Sequence, residues 1–222
     1  MKAASLCCVA AALAMPVGAI CASPQGEAVF AIDFSNPGLV PAQWTLEFHP
    51  DGSGHFRTLR GQAQSGDNIE APNIDKDIRL SAQFSEHVFQ IAEHKDLFKH
   101  GCDSHMKVAF QGTKTLTYSG PAGRGSCAFN YAKDQDIESL GDSLVSVATT
   151  LIEGARLQTL LQHDRLGLDK ETEVLVESAA DGRAQQIGSI RDILERLAQD
   201  PAVLERVKRR ARMLLTKADS GA

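Results

Sequence analysis

Three features of the sequence predict an α+β fold, with an antiparallel sheet carrying helices on one face, followed by an all-helical C-terminal extension. Short runs of alternating apolar and polar residues fill the first half of the 222 residues. Glycine and proline clusters such as HPDGSGH and SGPAGRG separate those runs as hairpin turns do. Near Asp136 the apolar period changes to one residue in every three or four, and it stays helical to the end.

Each element follows from its own stretch. EAVFAIDF (27–34) is rich in strand-forming residues and ends at Asn36-Pro37-Gly38. In QWTLEFHPDGSGHFRTLRG, Trp44, Leu46 and Phe48 alternate with polar residues, the chain turns, and Phe56 and Leu59 return as the second arm of a hairpin. Residues 61–76 are polar and read as a surface loop. DIRLSAQF (77–84) is extended, and Ser85 is placed to cap a helix carrying Val88, Phe89, Ile91, Ala92 and Phe98 on one side. MKVAF (106–110), KTLTYSG (114–120) and SCAFNYA (126–132) read as three short strands. A helix runs from Asp136 to about His163 with Ile137, Leu140, Leu144, Val147, Leu151 and Ile152 on one stripe. Further helices cover Leu168–Ala180 and Ala184–Gln199, and the last begins at Asp200-Pro201, burying Val203, Leu204, Val207, Ala211, Leu214 and Leu215. The organisation expected is a signal peptide over 1–22, a β-rich α+β domain over 23–135, a helical region over 136–217 whose first helix packs on the sheet, and a disordered tail over 218–222.

The signal peptide is read from one charge at Lys2, an apolar run interrupted by Pro16 and Gly18, and small residues before Ser23-Pro24. Cleavage after Ala19 and cleavage after Ala22 both suit the pattern, and lipidation of Cys21 is the weaker alternative because Ile20 precedes it. Export to the periplasm or the medium is the expectation, with no transmembrane span in the mature chain. The chain carries 23 basic and 28 acidic side chains, and loss of Lys2 leaves 22 against 28. That acidic balance argues against nucleic acid as a partner. Cys7, Cys8 and Cys21 leave or are processed with the signal, so Cys102 and Cys127 remain as a pair in an oxidising compartment and are expected to form a disulfide. Closing a loop of about 25 residues stabilises a fold by roughly 3 to 4 kcal/mol.

The β-β-α-β-β-α order over residues 43–155, carried by QWTLEFHPDGSGHF, SEHVFQIAEHKDLF and KTLTYSGPAGRGSCAFNY, resembles small domains of the emfourin kind. Emfourin-like domains inhibit secreted metalloproteases, so the resemblance implies a sheet domain and an inhibitor-like activity, with no inhibitory residue carried over. The whole chain, including HDRLGLDKETEVLVE and DPAVLERVKRRARMLL, also resembles a group of exported bacterial proteins, which implies export and no particular chemistry.

Five stretches could carry chemistry. IESLGDSLVSV contains GDSL at 141–144, the signature of a family of serine hydrolases, in which Ser143 would be the nucleophile. That family needs an Asp-x-x-His block to orient and deprotonate the serine. No Asp-x-x-His occurs here, the only histidine after Ser143 is His163, and the apolar spacing puts Ser143 inside a helix, so no catalytic residue is assigned. HKDLFKHGCDSH gathers His94, His100, Cys102 and His105, which are ligand types for zinc or copper. A disulfide at Cys102 removes its thiolate, leaving His94, His100 and His105 as secondary metal candidates. The glycine-rich HPDGSGHF and PAGRGS read as turns. Arg206, Lys208, Arg209, Arg210 and Arg212 lie opposite the apolar stripe of the last helix, as a solvated face or as a patch for an anionic partner, and they are expected to be exposed. No cofactor is expected. The leading expectation is a non-enzymatic exported protein that binds a protein or another envelope component, with a serine hydrolase at Ser143 or a weak metal binder at the histidines as alternatives.

Overall fold

The computed structural model describes residues 27–59 and 73–220. The signal segment, most of the polar loop and the last two residues of the expected tail lie outside the described residues. Strand β1 (Val29–Ser35) is followed by β2 (Gln43–Phe48), β3 (Ser53–Leu59) and β4 (Asp75–Arg79). Helix α1 (Ala82–His94) and a 3-10 turn (Asp96–Phe98) lead to β5 (Thr113–Gly120) and β6 (Gly123–Phe129). Helices α2 (Gln135–His163) and α3 (Gly167–Ala180), a 3-10 turn (Ile187–Ile190), α4 (Arg191–Gln199) and α5 (Glu205–Asp219) complete the chain. The six strands form one antiparallel sheet in the order β4-β3-β2-β1-β5-β6. Among the described residues no helix is long and apolar enough to cross a membrane.

Alternation decides which face of the sheet is covered. Phe30, Ile32 and Phe34 on β1, Trp44, Leu46 and Phe48 on β2, and Leu116 and Tyr118 on β5 are buried on one side, while Asp33, Glu47 and Arg57 face solvent on the other. The phenylalanines interlock across elements: the Phe30 ring centroid lies 5.4 Å from Phe48, 6.2 Å from Phe89 of α1 and 5.9 Å from Phe98. Truncation of one such buried ring costs about 3 to 5 kcal/mol. The same connected core continues through Leu144, Leu151 and Leu157 of α2 into Leu168, Leu175, Ile190, Leu194 and Val207 of the helical extension. At the join, Gly154 of α2 lies so close to Ile190 that an added methyl group would collide with it.

Several boundaries differ from the sequence expectation, each for a local reason. Pairing makes Trp44 oppose Thr58 and Leu46 oppose Phe56, so Thr58 points inward and Leu59 is exposed. The strand after the loop begins at Asp75, within the expected loop, and α1 is capped by Ser81, whose Oγ accepts from the Phe84 N–H, not by Ser85. Starting the helix at Ala82 sets Ser85, Val88, Phe89 and Ala92 on the inward stripe, and the small Ser85 side chain fits beside the Gly52 turn. Phe98 is buried from the 3-10 turn, beyond the end of α1. Met106–Phe110 is not a strand. β1 and β6 flank β5 on its two sides, and the 3-10 turn packs over the covered face of β6, where Gly125 sits directly against the Leu97 carbonyl. Alternation alone does not make a strand without a hydrogen-bonded partner, and this segment pairs with no strand of the sheet.

In the helical extension, Ala184–Gln186 is not helical, and Gln186 takes a left-handed backbone (φ 54°) before the 3-10 turn. The Asp200 carboxylate accepts from the Ala202 N–H in a tight turn, so α5 starts at Glu205 and Leu204 is exposed. Lys208 and Arg210 are half-buried and depart from the exposure expected of the basic face.

Candidate functional site

Ser143 lies within α2, and its neighbours explain the GDSL letters as packing. Gly141 lets α2 approach the sheet: a methyl group there would lie 2.9 Å from Lys114 Cδ and 3.0 Å from Phe129 Cζ. Asp142 reaches Lys114, with Oδ1 2.6 Å from Nζ, and Leu144 enters the core. Lys114 is buried on the helix-covered face of β5, where Glu138 Oε1 lies 3.1 Å from its ammonium and the Phe129 ring centroid lies 5.5 Å away. Glu138 Oε2 in turn accepts from the Ala132 N–H. Ser143 and His163 stand twenty positions apart on one helix, roughly 30 Å at the helical rise, far beyond proton-transfer reach.

Cys102 and Cys127 are bonded, with Cα atoms 5.7 Å apart. The histidines around them do not converge. His100 faces Asp96 at 3.3 Å and His105 faces Asp103 at 3.3 Å, both largely in solvent, while His94 closes α1. Among the described residues no three His, Cys, Asp or Glu side chains form a group able to hold a metal ion.

The cations of α5 are mostly turned onto neighbouring carboxylates. Arg206 Nε lies 2.5 Å and Arg210 2.8 Å from Asp169 on α3, and Arg210 also reaches Glu173. Arg212 and Lys208 approach Glu205 at 3.1 and 3.9 Å. The Arg206 guanidinium, followed by that of Arg210, holds the Asp169 carboxyl below its ordinary range. Among the described residues only Arg209 of the five has no ion pair, so α5 fastens to α3 with the charges that the sequence offered as a patch.

His55 and Glu153 both depart upward from their ordinary values. His55, on the solvent face of β3, sits between Asp77 (Nδ1, 2.9 Å) and Asp75 (Nε2, 2.8 Å) of β4, and these carboxylates raise its pKa. Glu153 of α2 is pushed up to about 8 by burial and by the adjacent Glu171 of α3, whose own carboxylate meets Arg156 at 3.2 Å.

A site that the sequence reading missed lies where β1 ends and β5 begins. His105–Gln111 forms seven consecutive exposed residues, with Met106 62%, Val108 40% and Phe110 58% accessible. Beside them the β1–β2 loop exposes Leu39 and Val40, and the chain after β6 exposes Tyr131. Hydrogen bonds join the three segments into one rim. The Asn130 side chain accepts from the Gln111 N–H (2.8 Å) and donates to the Ala109 carbonyl (3.2 Å). The Asn36 side chain donates to the Gln111 carbonyl, and the Ser104 N–H donates to the Tyr131 carbonyl. Asp103 accepts from the His105 and Asn130 N–H groups, which hold its carboxyl below the ordinary range, and Cys102 ties the start of the segment to β6. These bonds hold the three segments together at one end of the sheet, and each exposes large apolar side chains. Its sequence signal was the alternation of Met106, Val108 and Phe110, which also reads as a strand. Compared with known proteins, the chain matches no family model and no curated protein.

Proposed function

We propose that this is a non-enzymatic exported binding protein of the cell envelope that engages its partner through the apolar rim of Leu39, Val40, Met106, Val108, Phe110 and Tyr131. The observation that carries the reading is the conjunction of exposure and bracing. Six large apolar side chains stand in water on three segments tied together by Asn130, Asn36 and a disulfide. Exposed apolar groups at one place mark interaction surfaces, and preorganised backbone lowers the ordering cost of binding. Export is supported by the layout of the first 22 residues and by the bonded cysteine pair.

A narrower form is inhibition of a secreted peptidase, favoured by the solvent-facing Met106–Phe110 segment alongside the emfourin-like order of elements. Photo-crosslinking from position 110 in the native envelope tests the binding reading. A specific adduct, lost when Val108 is replaced by Asp, is expected, and the absence of any adduct to protein or lipid overturns it. Peptidase assays with the purified mature protein test the narrower form, and undiminished peptidase activity ends it.

A further inference from the structure

We propose that the rim seats in the headgroup region of an anionic bilayer, so that the protein is held peripherally at a membrane surface. This rests on reading the rim as the binding surface, and its chemistry selects the partner. The segment His105–Gln111, HMKVAFQ, contains no carboxylate, although the chain as a whole carries a net charge of −5. Lys107 stands between Met106 and Val108, and exposed Lys133 follows Tyr131 by two residues. In sequence the acid nearest to that segment, Asp103, is already occupied by two backbone N–H groups, and Asp134 beside Lys133 is paired with Lys95. Apolar and aromatic side chains interspersed with lysine suit the water–lipid boundary: the rings and methyl groups enter the acyl margin, while ammonium groups stay with lipid phosphates.

Two further observations point the same way. The N–H groups of Lys107, Ala109 and Phe110 have no hydrogen-bond partner among the described residues. They could not enter dry hydrocarbon, but water and phosphate oxygens satisfy them at headgroup depth. The basic helix that the sequence offers to anionic surfaces has four of its five cations on Asp169, Glu173 and Glu205. Lys107 and Lys133 have no carboxylate partner among the described residues, against Arg209 alone on α5.

The test is co-sedimentation of the mature protein with vesicles of phosphatidylethanolamine and phosphatidylglycerol, and with vesicles of phosphatidylcholine alone. Binding to the anionic vesicles that weakens with added salt is expected. Phe110→Asp should reduce it about ten- to a hundredfold, and Lys107→Gln roughly fivefold. Both side chains are exposed, so the thermal midpoints of the variants should match the parent and show that folding is intact. A Phe110→Trp variant should shift its emission to the blue on the anionic vesicles. No binding, binding unchanged by Phe110→Asp, or equal salt-insensitive binding to both vesicle types each overturns the proposal. An envelope adduct from position 110 that is protein, with no vesicle binding, overturns the lipid assignment and leaves the binding reading standing.

Discussion

The Asp142 carboxylate lies 2.6 Å from the ammonium of Lys114, a side chain 3% exposed on the helix-covered face of the sheet. The acid of a hydrolase signature thus serves as a counter-ion. Glu138, 14% exposed, completes the pair from one turn earlier on α2. Removing the more buried acid leaves Lys114 charged and poorly compensated, so Glu138→Ala should lower stability by about 3 kcal/mol. Asp142 is mostly in solvent, and Asp142→Ala should cost about 1 kcal/mol or less. Urea melts of the two variants check the order, and equal losses would refute it.

Ser143 is expected to be chemically silent. Ester hydrolysis by the purified protein should be the same before and after Ser143→Ala, since its helix brings it no base. A loss of measured activity in the variant would restore the hydrolase reading.

Reduction of the Cys102–Cys127 bond frees a loop with a sequence separation of 25. The paired Cys102→Ser, Cys127→Ser variant should lose roughly 3 kcal/mol. Hydrogen exchange should quicken first over 103–111, because the bond anchors the segment that leads into the rim.

Stability should fall as pH rises, for two separable reasons. Glu153 titrates near 8 in the folded state against an ordinary value of 4.5, so the native state binds the extra proton. Its contribution is complete below about 4.5 and is lost as pH rises through 8. Glu153→Gln should flatten the thermal midpoint over that window and raise it at the alkaline end. His55 also has a raised pKa, so its clamp on Asp75 and Asp77 is fully formed below 6.5 and is released as pH passes the folded value. Asp77→Asn should lower the His55 pKa measured by NMR while leaving the Glu153 effect intact.

Much of the fold was legible because local periodicity and turn chemistry are written in consecutive residues. Trp44, Leu46 and Phe48 mark β2, and the stripe from Ile137 to Ile152 marks α2 within a residue of its observed start. The layout of residues 1–22 gives the expectation of export, and the count of remaining cysteines predicts their pairing. Helix starts were less legible: Ser81 and Ser85 are equivalent as caps until the Gly52 turn selects the phase.

By itself, then, the sequence determined an antiparallel sheet followed by helices, a core stripe in α2, and a disulfide, since each depends on residue type at short spacing or on arithmetic. Tertiary structure decided the rest. Whether Met106–Phe110 becomes a strand depends on pairing with a sheet edge; β1 and β6 flank β5, the segment pairs with no strand, and its apolar side chains face water. Whether the α5 arginines form a patch depends on what stands opposite, and Asp169 and Glu173 stand there. Exposure and charge pairing are properties of neighbours distant in sequence, and no local pattern contains them.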